Sequence, residues 1–221
     1  MNCKEKLLVI ADVAFNNNVD KIKKVSFGKL IDVQFGVYNA GLYKDWLTIN
    51  LKPTHGVLDW IVNLIAFSRN GKHAGYAGEW NKYKSEFLQV ILDNARLRYA
   101  LDKGVIIAGR SKGGGEALII ADDISDMQGD NILVGAIEPP RVCTGKYRKF
   151  IEKKIGADNI IYTIYKNDIV PSLPFWLCYA GNKFQFGKRT LGLSVDDHIK
   201  STTEEKLIYN EISKIGTGTA D

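Results

Sequence analysis

Gly104-Val105-Ile106-Ile107-Ala108-Gly109-Arg110-Ser111-Lys112-Gly113-Gly114-Gly115-Glu116-Ala117-Leu118 decides the reading of this chain. Val105 to Ala108 are an apolar strand bounded by glycines, and Gly109-Arg110-Ser111-Lys112-Gly113 fits G-x-S-x-G. Residues 116–124 then follow as a helix-forming stretch. Strand, sharp turn and helix in that order are what a nucleophile elbow requires. The serine sits at the tip in a strained conformation, and the flanking glycines let strand and helix pass without side-chain clash.

Working outward, residues 5–15 carry helical spacing of apolar side chains, and the cluster Asn16-Asn17-Asn18 ends it. Residues 35–38 and 46–51 are strand-like around a turn at Asn39-Ala40-Gly41, which predicts a hairpin. Residues 76–101 read as one long helix. Residues 132–137 and 160–165 are further strands, with a helix over 147–155 between them. Residues 175–193, aromatic and glycine-rich, predict an irregular hairpin, and residues 202–215 a final helix. Strands alternate with helices from the long helix onward, so right-handed crossovers should build a mainly parallel sheet with helices on both faces. With 221 residues and no repeat or linker, residues 1–221 are expected to form one α/β domain.

Composition excludes some functions. The net charge of +5 comes from dispersed lysines, with a short cluster at Lys21 to Lys24, so there is no basic stripe interleaved with aromatics to take nucleic acid. Cys3, Cys143 and Cys178 are odd in number and lack C-x-x-C spacing, which argues against a zinc site or disulfide framework and for a reducing compartment. No apolar run approaches the ~20 residues of a membrane span. A cytoplasmic protein without metal or cofactor is the expectation.

A nucleophilic serine needs a base, and the chain has three histidines. In α/β-hydrolases the order is Ser, then Asp or Glu, then His, which only His198 satisfies. His55 and His73 precede the elbow, and His73 reads as structural, its ring bonded to nearby backbone. The acid must lie between Ser111 and His198, in a loop at the carboxyl end of a strand. Asp168 fits, and Glu138, which closes a strand, is its rival. Asp158 lies at the wrong end of its strand; Asp122, Asp123, Asp126 and Asp130 read as solvated charges.

Four stretches resemble the class 3 (fungal-type) lipases, a branch of the α/β-hydrolase fold. Gly109-Arg110-Ser111-Lys112-Gly113-Gly114 is similar to that family's G-H-S-L-G-G, and Pro140-Arg141-Val142 to its G-x-P-R-V. Asp168-Ile169-Val170-Pro171-Ser172-Leu173-Pro174 resembles D-x-V-P-x-L-P, and Lys72-His73-Ala74-Gly75-Tyr76 resembles V-H-x-G-F. The resemblance implies an α/β-hydrolase fold and an esterase or lipase with the triad Ser111, Asp168 and His198, acting on lipid esters through an acyl-enzyme. It also implies transient contact with a membrane or lipid surface. Lys52-Pro53-Thr54 stands where the family has its oxyanion loop, so Thr54 and the backbone N–H of Lys112 would form the hole. Apolar residues 57–67 lie where the family has a lid, although the short stretch before His73 favours an ordinary packed helix.

The elbow departs from the family at Arg110 and Lys112. A lysine at a partly buried site wants a partner, and Glu138 is the expected one. Phe175, Trp176, Phe184 and Phe186 either line an acyl pocket or pack the hairpin. Two other readings stay open: a hydrolase-fold interaction module whose altered elbow marks lost catalysis, and a phosphate-binding protein using the glycine-rich turn at a helix N-terminus.

Overall fold

The computed structural model describes residues 2–28, 31–53, 68–128 and 131–215. The helix α1 (Cys3–Phe15) starts at Asn2, whose side chain accepts from the Glu5 N–H while Glu5 reaches back, a capping box. Asn16, with φ 62°, ends it. The strands β1 (Val19–Phe27), β2 (Ile31–Tyr38) and β3 (Leu47–Leu51) follow. Next come the two-residue strands β4 (Ser68–Arg69) and β5 (Lys72–His73), then α2 (Ala74–Leu92) and α3 (Ala95–Lys103). β6 (Val105–Arg110), α4 (Lys112–Gln128), β7 (Ile132–Ile137), α5 (Gly145–Ile155) and β8 (Ile160–Tyr165) alternate from there, and β9 (Asn182–Phe186), α6 (Val195–Thr203) and α7 (Glu205–Lys214) complete the chain.

Seven strands form one sheet in the order β1-β2-β3-β6-β7-β8-β9. The first three pair antiparallel, and β3, β6, β7, β8 and β9 run parallel. This is the mainly parallel α/β-hydrolase sheet. β6 lies at its centre, buried from Val105 to Gly109, as a strand covered on both faces must be. Val105 and Ile107 face one apolar core with Phe87, Ile91, Ile120 and Ile151. Ile106 and Ala108 face the other, with Leu7, Ile10 and Val13 of α1 and Ile208 and Ile212 of α7. Burying one such aliphatic side chain contributes roughly 1.5–3 kcal/mol, so the two cores hold α1 and α7 against one face and α2 to α5 against the other.

Four expectations change. The hairpin gains an outer strand, β1, with a bulge between Lys21 and Lys23; the lysine cluster lies on this strand as a charged sheet edge, which discourages pairing with another chain. The long helix is two, because the Asn94 side chain accepts from the N–H groups of Arg96 and Leu97 and caps a new start. Residues 175–193 form no hairpin: β9 pairs parallel with β8. The single C-terminal helix is α6 followed by α7, so His198 lies inside a helix rather than ahead of one.

Candidate active site

β6 delivers Ser111 to the carboxyl edge of the sheet. Its neighbours there are Leu51 of β3, paired with Gly109, and Ile137 of β7, paired with Arg110. Ser111 has φ 54°, in the left-handed region that costs an L-residue free energy. The Ser111 N–H donates to the Ile137 carbonyl at 2.8 Å, and the Ser111 carbonyl accepts from Gly114 N–H at 3.0 Å. A Cβ on Gly109 would stand 2.4 Å from the Gly113 carbonyl carbon, and one on Gly113 would stand 2.3 Å from the Leu51 carbonyl oxygen. Both glycines are therefore required for helix and strands to meet behind the serine.

His198 and Asp168 arrive from separate elements that the backbone ties together. The loop after β8 bridges to the start of α6: Ser194 N–H donates to Asn167 O at 2.8 Å, and Ile169 N–H donates to Ser194 O at 3.2 Å. The Ser194 hydroxyl then accepts from Asp197 N–H at 3.0 Å and caps α6. One turn on, His198 Nε2 stands 3.0 Å from Ser111 Oγ and Nδ1 stands 2.6 Å from Asp168 Oδ2. The other Asp168 oxygen, Oδ1, accepts from Val170 N–H at 2.8 Å, an Asx-type turn. All three side chains are buried. The structure thus brings together Ser111, His198 and Asp168. A serine bonded to an imidazole whose second nitrogen meets a carboxylate can pass a proton from hydroxyl to ring.

Both charges of the elbow turn away from the serine. Arg110 donates to the Thr202 carbonyl near the end of α6 and lies over the Phe15 ring at 4.7 Å, so it clasps the helix that carries His198. Lys112 pairs with Glu116 one turn along α4, Nζ to Oε1 at 2.8 Å, which corrects the expected pairing with Glu138. The spacing favours this: residues four apart share a helix face, whereas Glu138 turns its carboxyl toward β8. Lys112 also opens α4, and the first N–H groups of a helix point out beyond its N-terminus rather than to carbonyls inside it.

Burial pushes the Glu116 carboxyl up to about 7, against the opposing pull of Lys112. The folded protein therefore holds this proton more tightly than the unfolded chain, whose value is the ordinary 4.5. The resulting stability is complete below pH 4.5 and is lost as the pH rises to about 7. A gap of that size is worth about 3 kcal/mol. In urea unfolding across that window, Glu116→Gln should flatten the fall in stability by about this amount. An unchanged slope would refute the assignment.

Of the remaining candidates, Thr54, His55 and residues 57–67 lie outside the described residues. Buried His73 stacks on Tyr76 at 4.1 Å between ring centroids. Phe186 is in the α1-side core with Phe184 packed against it, while Phe175 and Trp176 are exposed. Gly113, Gly114 and Gly115 lie buried within α4 against Leu51, Ala136 and Pro140, so they serve close packing rather than an open phosphate cradle. Among the described residues no group of three or more His, Cys, Asp or Glu side chains could hold a metal ion, and no helix is long and apolar enough to cross a membrane.

The family described as Lipase (class 3) matches residues 48–178, a stretch that includes Ser111 and Asp168 and ends before His198. Among solved structures, lipase II from Rhizopus niveus aligns with a TM-score of 0.71 at 17% identity, covering 90% of this chain and 92% of its own. The Rhizomucor miehei triacylglyceride lipase aligns at 0.67 and 18%, covering 84% and 82%. The lipase from Rhizopus microsporus var. chinensis aligns at 0.65 and 19%, covering 91% and 74%. Identities this low show a shared fold. No curated protein sequence matches the chain.

Proposed function

The chain belongs to the class 3 lipase family, and from that membership we propose that it hydrolyses carboxylic esters, lipid acyl esters foremost, with Ser111 as nucleophile, His198 as base and Asp168 as orienting acid. One observation carries the reading: the buried hydrogen-bonded line from Ser111 Oγ through His198 to Asp168, at 3.0 and 2.6 Å. Ser111 Oγ attacks the ester carbonyl carbon while its proton passes to His198 Nε2. The carbonyl π electrons move to oxygen, and the backbone N–H of Lys112 faces that oxyanion, with Thr54 as the second donor. Asp168 stabilises the imidazolium through Nδ1. The tetrahedral intermediate then collapses, the alkoxide leaves with the His198 proton as an alcohol, and the acyl group stays on Ser111. Water repeats the sequence to release the carboxylic acid and restore the hydroxyl.

Substrates of this kind lie in aggregates or membranes, so transient contact with a lipid surface belongs to the proposal. So does a cytoplasmic location, which the free thiols of Cys3, Cys143 and Cys178 support. A serine-directed fluorophosphonate, which loses fluoride as its phosphorus bonds Ser111 Oγ, should label the protein. Para-nitrophenyl esters of increasing acyl length should be hydrolysed, with competition between ester and label. A protein that takes no label and cleaves no ester of any length would instead be the interaction module.

A further inference from the structure

Behind the triad lies a second buried carboxyl group for which the proposed reaction has no role. Glu138 follows β7 with φ 52°, strained for a non-glycine residue, and is fully buried. Its Oε2 accepts from Tyr165 N–H at 2.7 Å and its Oε1 meets the Thr163 hydroxyl at 3.2 Å, both groups belonging to β8. Tyr165 ties this carboxyl to Asp168: its N–H donates to Glu138 and its carbonyl accepts from Asp168 N–H at 3.0 Å, so the Asp168 charge bears directly on Glu138. Two neighbouring carboxyl groups out of water do not both stay ionised, so one of them keeps its proton.

The donor sets decide which group keeps it. Asp168 receives two N–H bonds, from Val170 and from the His198 ring, and that ring becomes a cation during the proposed reaction. Glu138 receives one N–H and a hydroxyl. Tyr179, also close by, gives its phenol proton to the carbonyls of Pro139 and Pro171, and Arg141 donates to the carbonyls of Pro171 and Phe175. The anion therefore belongs on Asp168 and the proton on Glu138.

We propose that Glu138 is a positioning residue of the triad, a neutral carboxylic acid that donates a hydrogen bond to Asp168 and holds that carboxylate against His198. The proposal rests on Ser111, His198 and Asp168 acting as the triad. Burial and the adjacent Asp168 charge hold the Glu138 carboxyl well above the usual carboxylate range. With a third donor, Asp168 spreads its charge over more bonds. It then aligns the imidazole without competing for the imidazole's proton.

The test follows the His198 ring titration by NMR, in both the parent and the Ser111→Ala background, beside the acid limb of kcat/KM. Glu138→Gln keeps a donor toward Asp168 and an acceptor toward Tyr165 N–H. It should leave the titration midpoint within about 0.3 pH of the parent and kcat/KM within about threefold. An ionised Glu138 in the parent would give the opposite result, because Gln would remove a negative charge and lower the midpoint by about one pH unit. That outcome overturns the proposal. Glu138→Met fills the volume without donating; kcat should fall roughly 10- to 100-fold with KM little changed, and the midpoint should rise. A Met variant with parent-like kcat and midpoint would reduce Glu138 to an anchor for β8 and also overturn the proposal. If the Met variant fails to fold, the Gln midpoint still decides. An unaltered protein that cleaves no ester defeats the catalytic reading instead, while the NMR midpoints still test the proton on Glu138.

Discussion

Ser111→Ala is expected to lower kcat/KM for a para-nitrophenyl ester by a factor on the order of 10⁵ to 10⁶ and to abolish fluorophosphonate labelling. Without Oγ no acyl-enzyme forms, and what remains is the stabilisation from the oxyanion donors and from binding, ~10³-fold over water. The fold should hardly notice. The substitution removes one hydroxyl, bonded at 3.0 Å to His198 Nε2, and alanine keeps the β-carbon that the φ of 54° already accommodates. A change in unfolding free energy within about 1 kcal/mol is expected. Ser111→Gly, by contrast, should stabilise by about 1 kcal/mol while remaining equally inactive, because glycine carries no penalty at positive φ. A Ser111→Ala protein that folds and keeps more than about 1% of the parent activity would assign the attack to another group.

How much of this was legible in the sequence depended on whether the deciding force was local. The elbow was, because only glycine permits the approach of Gly109 to Gly113 and of Gly113 to Leu51. Asp168 and His198 were legible through chain order and motif, although the bridge that brings them together, Asn167 and Ile169 to Ser194, is a tertiary contact with no pattern of its own. The start of α6 had a local signal in Ser194-Val195-Asp196-Asp197, a cap followed by acidic residues in the first turn. Its apolar periodicity is too short to stand out, so the helix was expected only from residue 202. Asn94 was likewise a readable cap, hidden because helical spacing runs on through it. β1 hid for another reason. Its bulge breaks the alternation, and its burial repeats every third residue instead of every second. Arg110 and Lys112 could be flagged as charges needing partners, but where they turn is decided by α6 and by the face of α4. Neither aims at the serine, so their effect falls on the placement of His198 and on the pH response of stability rather than on direct contact with the reacting hydroxyl.

Asp168→Asn is expected to cost about 10⁴-fold in kcat/KM, far more than the loss of one negative charge suggests. The geometry supplies the reason. Asp168 Oδ1 accepts from Val170 N–H at 2.8 Å, and an asparagine must keep its carbonyl oxygen there or leave that buried donor unsatisfied. The amide NH₂ is then turned toward His198 Nδ1, where the carboxylate oxygen stood at 2.6 Å. A donor at Nδ1 forces the imidazole to carry its proton on Nε2, the nitrogen 3.0 Å from Ser111 Oγ. The ring then offers a proton to the serine instead of a lone pair, and the base is lost although every atom stays in place. The urea midpoint should accordingly move little, and the rate of fluorophosphonate labelling should fall in step with kcat/KM, because both reactions need the same deprotonation. A folded Asp168→Asn protein with less than about a hundredfold loss would remove Asp168 from the role of triad acid, since a tautomer held the wrong way cannot be that mild.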